Sequence, residues 1–149
     1  MGKKIVATNR KAKFEYFLLE NFEAGLVLKG SEIKSIRARQ ISITESYVQT
    51  DGNEVWLINS HISPYDPASR QNHEPKRKRK LLLHKKEIGK LWKGIQLKGL
   101  TVIPTKVYLR NGLAKVSISL AKGKKLHDKR REIAEKDMQR ELDREYRKR

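Results

Sequence analysis

The sequence predicts a mainly β protein, an oligonucleotide-binding-like antiparallel β-barrel of about six strands with short flanking helices and a basic C-terminal tail. Two turn signals, and the absence of an alternating strand–helix pattern, support this prediction. The dipeptides Asp51-Gly52 and Asn111-Gly112 each separate β-prone segments, and such pairs supply the positive φ angles of tight hairpin turns. Strands and helices do not alternate as they do in parallel sheets, so we expect an antiparallel sheet. A small antiparallel sheet that closes into a barrel has no unpaired edge strands.

The chain is strongly basic along its whole length. Its 149 residues include 35 Lys or Arg and 17 Asp or Glu, which gives a formal net charge of +18. Residues 1–121 hold 23 basic and 10 acidic residues, and residues 122–149 hold 12 and 7. Charge of this sign in both parts indicates a polyanionic partner, either nucleic acid or an anionic membrane.

Three absences narrow the class of protein. No apolar run approaches the roughly 20 residues of a membrane-spanning helix, and no signal peptide opens the chain. The chain has no cysteine, which excludes disulfides and thiolate metal sites. We therefore expect a cytoplasmic protein with no membrane partner. We also expect a monomer, although the sequence leaves open whether a dimer forms.

The first third of the chain predicts strands followed by a short helix. Residues 1–13 are a basic lead-in, and residues 14–28 suit two strand pieces joined by a bend or bulge. Ser31 can cap a helix over residues 32–39. Glu32 then lies in the first turn, where its negative charge suits the helix dipole, and this is its simplest role.

The middle third combines a hairpin, a loop and a basic segment. Residues 47–58 form the predicted hairpin, and the proline-rich residues 61–75 predict an irregular loop. The basic run, Lys76 to Lys80, offers a dense positive surface for phosphates, although such runs are often only a solvated face. Residues 81–92 predict a helix with four apolar residues on one face: Leu81, Ile88, Leu91 and Trp92.

The last third gives the clearest hairpin and then the tail. Residues 100–110 and 113–120 flank Asn111-Gly112 with alternating apolar and polar side chains. We divide the chain into a barrel, residues 1–121, and a basic tail, residues 122–149. The tail has strong helix formers but too thin an apolar stripe to pack on a core, so we expect it to be loose alone and helical on a partner. A solvated charged tail with no specific role is the alternative.

Catalytic signals are weak. The four histidines are not at metal-ligand spacing, and no glycine-rich phosphate loop is present. We expect no enzyme activity, no metal and no cofactor, with a nuclease or RNA-modifying enzyme that uses His61 or His73 as an alternative. Aromatic or histidine side chains in basic loops could instead stack on unpaired bases. The candidates are Tyr65, His73 and His127.

Seven stretches, taken together and in order, closely resemble the SsrA-binding protein family, the small partner of transfer-messenger RNA (tmRNA) in bacterial ribosome rescue. They run in order across nearly the full length of the chain: residues 7–16, 23–37, 46–48, 61–65, 72–88, 99–104 and 120–130. The resemblance implies a six-stranded barrel that binds the tRNA-like domain of tmRNA. It also implies delivery of that RNA to stalled ribosomes for trans-translation, with the tail in the vacant mRNA path at the decoding centre, against 16S rRNA.

The resemblance also assigns site residues. The predicted RNA-binding residues, which include two arginines of the basic run, are Glu32, Lys34, Arg77, Arg79, Leu81, Leu82, Leu83, Lys115, Lys124 and Lys125. The predicted decoding-centre residues of the tail are His127, Asp128, Lys129 and Arg130, with His127 at a position suited to stacking on ribosomal RNA. The sequence departs from the family pattern at Arg39-Gln40 and at Ser42, which puts local contacts in doubt. The alternative is a structural protein that binds ribosomal RNA, because the positive charge would suit that role equally well.

Overall fold

The computed structural model describes residues 3–65 and 72–148, and for residues 126, 127 and 148 it describes the backbone only. Nine strands and four helices follow one another within these residues. In chain order they are β1 (Lys4–Thr8), α1 (Ala12–Glu15), β2 (Tyr16–Leu26), α2 (Gly30–Arg37), β3 (Ile41–Ser42), β4 (Tyr47–Thr50), β5 (Val55–Ile58), β6 (His61–Ile62), β7 (Arg79–Leu82), α3 (Lys85–Lys98), β8 (Thr101–Arg110), β9 (Leu113–Gly123) and α4 (Leu126–Lys148).

Seven of the strands form one antiparallel sheet in the order β1-β8-β9-β2-β7-β5-β4, and β3 pairs with β6 in a separate two-stranded sheet. The large sheet curls until β4 contacts β8, but no hydrogen-bonded ladder joins its two edge strands among the described residues. The predicted mainly β, antiparallel fold with short helices is confirmed. The barrel is not closed, and its sheet has seven strands where about six were expected.

Both predicted hairpins are present. β4 and β5 flank a turn in which Gly52 has a φ of 95° and the Asp51 carboxylate accepts bonds from the backbone N–H groups of Asn53 and Glu54, each 2.8 Å. β8 and β9 are joined by Asn111 and Gly112 at φ 52° and 78°. Positive φ at both central residues matches the strand twist, which is why Asn-Gly pairs favour this turn.

The core lies inside the curled sheet. Val116 and Ile118 of β9 are fully buried, as the predicted alternation requires, and Leu91 of α3 is buried in the same core. α3 approaches β9 closely at Gly94, where an added Cβ would lie 2.6 Å from a methyl carbon of Leu120. Any larger residue at position 94 would therefore require the Leu120 side chain to shift.

Three predicted elements differ in detail. Residues 14–28 hold one strand, β2, with an irregularity between Leu18 and Glu20 in place of two separate pieces. α2 begins at Gly30 with Lys29 as its N-cap, so Ser31 does not cap the helix. The predicted loop 61–75 starts with β6, and its residues 66–71 lie outside the described part of the chain.

The helix predicted over residues 81–92 is wrong in its first turn. Leu81 belongs to β7, where it pairs with Leu26 on one side and Val55 on the other. α3 starts only at Lys85, where the Glu87 carboxylate accepts a bond from the His84 backbone N–H. Four apolar residues fitted a helical spacing by chance, but the first of them, Leu81, is held in a strand by backbone pairing with two neighbouring strands.

Within the described residues, no helix is long and apolar enough to cross a membrane, and no three His, Asp or Glu side chains come together as metal ligands would.

Candidate nucleic-acid interface

Glu32 lies at the centre of a buried ion cluster. Its carboxylate is fully buried and accepts hydrogen bonds from Arg79 Nε at 2.5 Å and from Arg77 Nη2 at 2.5 Å. The backbone N–H of Lys29 donates to the same carboxylate at 2.8 Å. We call Glu32, Arg77 and Arg79 the Glu32 cluster.

Arg79 is wholly occupied within the protein. Its side chain is 0% exposed, and each N–H has an acceptor: Glu32 for Nε, the hydroxyl and carbonyl oxygens of Ser60 for Nη1, and the carbonyls of Glu74 and Pro75 for Nη2. A guanidinium has five N–H donors, and all five are used here. The prediction that the whole basic run is a phosphate-binding surface is therefore wrong for Arg79, because β7 turns this side chain inward beside Leu81.

The cluster holds Glu32 in its ionised form. Burial alone would raise the pKa of Glu32, but the bonds from Arg77, the Lys29 backbone and Arg79 outweigh burial, so the pKa lies below its usual range. Burial also lowers the pKa of Arg79, against the stabilising effect of Glu32. An arginine stays protonated regardless, so both groups are charged at neutral pH. The helix-dipole role inferred for Glu32 is thus secondary to its ion pairs.

Beside the cluster, an exposed face crosses strands β9, β2 and β7. Gly25 of β2 pairs with Lys115 on one side and with Leu82 on the other. A Cβ added to Gly25 would lie 3.5 Å from Leu82 Cβ and 3.8 Å from Lys115 Nζ, so the two side chains flank the bare backbone of this glycine. Leu82 is 55% exposed and Lys115 is partly exposed.

Arg77 extends this face, and Lys34 is a further exposed cation, on α2. Arg77 reaches from the Glu32 cluster to the carbonyl of Val27, two residues beyond Gly25, and keeps 27% of its side chain exposed. Lys34 lies on the exposed side of α2, with its ammonium 5.7 Å from the centre of the Tyr65 ring. We call Lys34, Arg77, Leu82 and Lys115 the RNA face, after the RNA-binding role that the sequence predicts for them.

The other predicted RNA-binding residues are placed differently. Leu81 is buried in the core and Leu83 is half-buried against it, so neither forms part of the exposed surface as Leu82 does. In the basic run, Lys78 lies over the Trp56 ring at 4.4 Å, and Lys80 pairs with Glu54 at 3.7 Å.

The start of the tail is tied to the barrel through Lys124. Its side chain is only 10% exposed, donates to the Lys13 carbonyl at 2.7 Å and forms an ion pair with Glu132 of α4. Its ammonium also lies 5.2 Å from the centre of the Phe17 ring. Lys124 thus contacts other parts of the protein, whereas the adjacent Lys125 is exposed.

The four predicted decoding-centre residues occupy the first turns of α4. Asp128 accepts a bond from the Lys125 backbone N–H at 3.3 Å, and Lys129 lies 5.9 Å from the centre of the Phe14 ring. Arg130 is exposed, and the side chain of His127 lies outside the described residues.

The histidine and aromatic candidates separate into buried and exposed groups. His73 is 4% exposed, its Nδ1 pairs with the Ser31 hydroxyl at 2.9 Å, and its Nε2 pairs with the Ile62 carbonyl at 2.8 Å. Both ring nitrogens are occupied and the ring is covered, so the prediction that His73 stacks on bases is wrong. The same burial removes it from any catalytic role at the surface, whereas His61 is exposed.

Sequence reasoning missed a second cluster, around Tyr108. The Tyr108 hydroxyl donates to the Glu23 carboxylate, and Arg110 Nη1 lies 3.3 Å from the same group. Burial and the bond to Glu23 raise the pKa of Tyr108 to about 12, so it remains a donor. Tyr108 and Arg110 alternate along β8, but nothing in the local sequence brings Glu23 of β2 beside them.

Comparison with known proteins places this geometry in a family. The family described as SmpB protein matches residues 6–148. The chain belongs to the SmpB protein family. The SsrA-binding protein of Persephonella marina is 55% identical over 146 residues, covering 98% of this chain and 96% of that protein, and the SsrA-binding protein of Desulforudis audaxviator is 54% identical over 139 residues, covering 93% and 91%.

A solved structure extends the likeness to the fold. One chain described under "tmRNA-SmpB: a journey to the center of the bacterial ribosome" is 46% identical, with a TM-score of 0.67. The match covers 80% of this chain and 84% of that one. The resemblance found in the sequence is confirmed.

Proposed function

We propose that this chain binds the tRNA-like domain of tmRNA and delivers it to stalled ribosomes for trans-translation. Membership of the SmpB family carries the proposal, because relatives about half identical over nearly the whole chain are named SsrA-binding proteins. The similar solved chain is described with tmRNA and the bacterial ribosome. A protein that works on these partners acts in the cytoplasm and needs no catalytic site.

The RNA face is the surface that we assign to the tRNA-like domain. Lys34, Arg77 and Lys115 supply positive charge for backbone phosphates, and Leu82 supplies an apolar contact beside them. The bare backbone at Gly25 allows RNA to approach the sheet closely between Lys115 and Leu82. Glu32 binds Arg77, and Arg79 binds Glu32. In this proposal the two residues position Arg77 and do not contact RNA.

The tail has a separate role in the proposal. Residues 122–149 enter the vacant mRNA path, and His127, Asp128, Lys129 and Arg130 contact 16S rRNA at the decoding centre. The basic side chains of α4 suit a channel with walls of phosphate, which supports this role. Lys124 fixes where the helix leaves the barrel, and Lys125 remains exposed for RNA. We further propose that α4 beyond its first turns, which Lys124 anchors, is loose in the free protein and becomes helical on the ribosome, because the apolar side chains there are exposed.

A reconstituted trans-translation assay tests both parts. The full chain should support transfer of alanine from charged tmRNA to stalled peptides, and the chain lacking residues 126–149, a deletion that leaves β9 whole, should bind tmRNA but fail in transfer. Intact transfer without the tail would contradict the tail's role. Loss of tmRNA binding on the same deletion would contradict the division of the chain into two functional parts.

A further inference from the structure

A cleft of about 470 Å³ lies between the turn that joins β1 to α1 and strands β2, β8 and β9. Pockets of a few hundred Å³ are the size of small-ligand sites. Six of its lining residues matter here: Asn9, Arg10, Lys13, Asn21, Lys106 and Ser117. None of them belongs to the RNA face.

The charge of this cleft is of one sign. Arg10, Lys13 and Lys106 line it, and no carboxylate does among the described residues. None of these three side chains forms an ion pair within the part of the chain that the structure describes. Cations left without an internal partner around a concave surface favour an anionic ligand.

Lys106, Lys3 and Arg110 bring three positive charges together around the Tyr108 ring. Lys106 Nζ and Lys3 Nζ lie 6.0 and 4.7 Å from the centre of the Tyr108 ring, and Arg110 lies 5.6 Å from it. Contact with Lys106, and repulsion from it, lower the pKa of Lys3. Glu23 offsets only part of this charge, because its carboxylate is bound by Tyr108 and Arg110. A phosphate at Lys106 and Lys3 would relieve the repulsion.

The neutral groups of the cleft suit the edge of a base. Asn9 is 8% exposed, its amide donates to the Pro104 carbonyl at 3.0 Å, and its buried Oδ1 accepts no bond among the described residues. The exposed Asn21 side chain also makes no hydrogen bond there. Asn9 Oδ1 has no exposed surface, so Asn9 shapes the wall of the cleft, whereas the exposed Asn21 carboxamide offers both a donor and an acceptor, which is how Asn reads a base edge.

We propose that this cleft binds one unstacked ribonucleotide of the RNA partner, with its phosphate on Lys106 and Lys3 and its base beside Asn21. The proposal rests on the proposed function, because it takes the ligand to be part of the RNA that the chain binds. RNA-binding proteins commonly accept single splayed-out nucleotides in this way. The cleft thereby adds a site that reads a base to a protein whose RNA face contacts mainly phosphates.

Titration of the full-length protein with the four ribonucleoside 5′-monophosphates, and separately with inorganic phosphate, tests the proposal by amide NMR. At least one nucleotide should shift the amides of residues 8–13 and 105–106 and bind about tenfold more tightly than phosphate. Lys106→Gln should weaken both ligands. Asn21→Leu should weaken the nucleotide alone, and Lys98→Gln, which removes a charge outside the cleft, should weaken neither.

Equal binding of nucleotides and phosphate would overturn the proposal and leave an anion site only. Binding of neither would also overturn it, and would leave Asn9 Oδ1 to an ordered water near Ser46, which lines the adjoining 150 Å³ pocket. Binding of whole tmRNA, measured in parallel on the unchanged protein, distinguishes the two proposals. If tmRNA binds selectively and no nucleotide does, the cleft proposal alone fails; if tmRNA does not bind selectively, the proposed function fails.

Discussion

Glu32 and Arg79 form an ion pair without solvent exposure: Arg79 Nε lies 2.5 Å from Glu32 Oε2, and both side chains are 0% exposed. The pair joins α2 to β7 and positions the partly exposed Arg77, which binds the second carboxylate oxygen. The buried pair therefore supports the RNA face instead of forming part of it.

Removing one member of the buried pair should destabilise the fold. Glu32→Gln leaves Arg79 charged and buried without its carboxylate, a change that costs about 3–5 kcal/mol in comparable buried pairs. Arg77→Gln should cost less, because the Arg77 side chain is 27% exposed and Glu32 keeps its bond from Arg79. Urea unfolding followed by circular dichroism measures both free energies. Equal losses for the two variants would show that burial of the Glu32–Arg79 pair has no special weight.

Stability should also fall in acid through Glu32. Its pKa is lower in the folded protein than the value of about 4.3 expected for an unfolded chain. The contribution of Glu32 is then fully present above about pH 4.3 and is lost as the pH falls through the folded pKa. Unfolding free energies measured from pH 7 down to pH 3 should decline less steeply in Glu32→Gln than in the unchanged chain. Parallel curves would assign acid sensitivity to other carboxylates.

A side chain at Gly25 should block the RNA face without disturbing the sheet. In Gly25→Val the added Cβ meets Leu82 at an ordinary contact distance of 3.5 Å, and a β-branched residue suits a strand. We expect binding of tmRNA to weaken about tenfold or more, equivalent to about 1.4 kcal/mol, while the unfolding free energy changes little. Filter binding and urea unfolding measure the two effects. Gly30→Val, at a glycine with open space around it, is the control for the RNA measurement.

The link between Lys124 and Glu132 should govern the start of α4. Glu132→Gln removes the carboxylate that pairs with Lys124, and the bond from Lys124 is also the main cause of the lowered pKa of Glu132. We expect faster amide hydrogen exchange over residues 128–134, with exchange in β8 and β9 unchanged. Glu145→Gln, near the far end of the same helix, is the matched control. Unchanged exchange in Glu132→Gln would contradict the anchoring role of Lys124.

The predictable parts of this fold are those set by neighbouring residues. Asn111 and Gly112 fix a hairpin because both positions adopt positive φ, and Val116 and Ile118 alternate with polar residues on the strand that follows. The resemblance seen in the sequence predicted the family, and the match to the SmpB family over residues 6–148 confirmed it.

The buried ion pair could not be predicted from such local signals. Lys78, Arg79 and Lys80 look alike in a basic run, and only assignment of this segment to a strand separates Arg79 from its neighbours. Because the apolar spacing of residues 81–92 predicted a helix, the strand over Arg79–Leu82 and its alternation of buried and exposed side chains were not predicted. The partner Glu32 is 47 residues away in sequence, so no spacing rule joins the two. The role of the RNA face itself stays a prediction.

The measurement that tests the proposed function most directly is a titration of the full-length protein against the tRNA-like domain of tmRNA at two salt concentrations, with excess bulk tRNA as competitor. We predict that binding survives the competitor at both concentrations, and that Lys115→Gln weakens it while Lys98→Gln does not. Shape-specific recognition would then add to the salt-sensitive attraction between lysines and phosphates. Binding that the competitor abolishes, with a steep dependence on salt, would contradict selective recognition of tmRNA and favour a general binder of structured RNA such as ribosomal RNA.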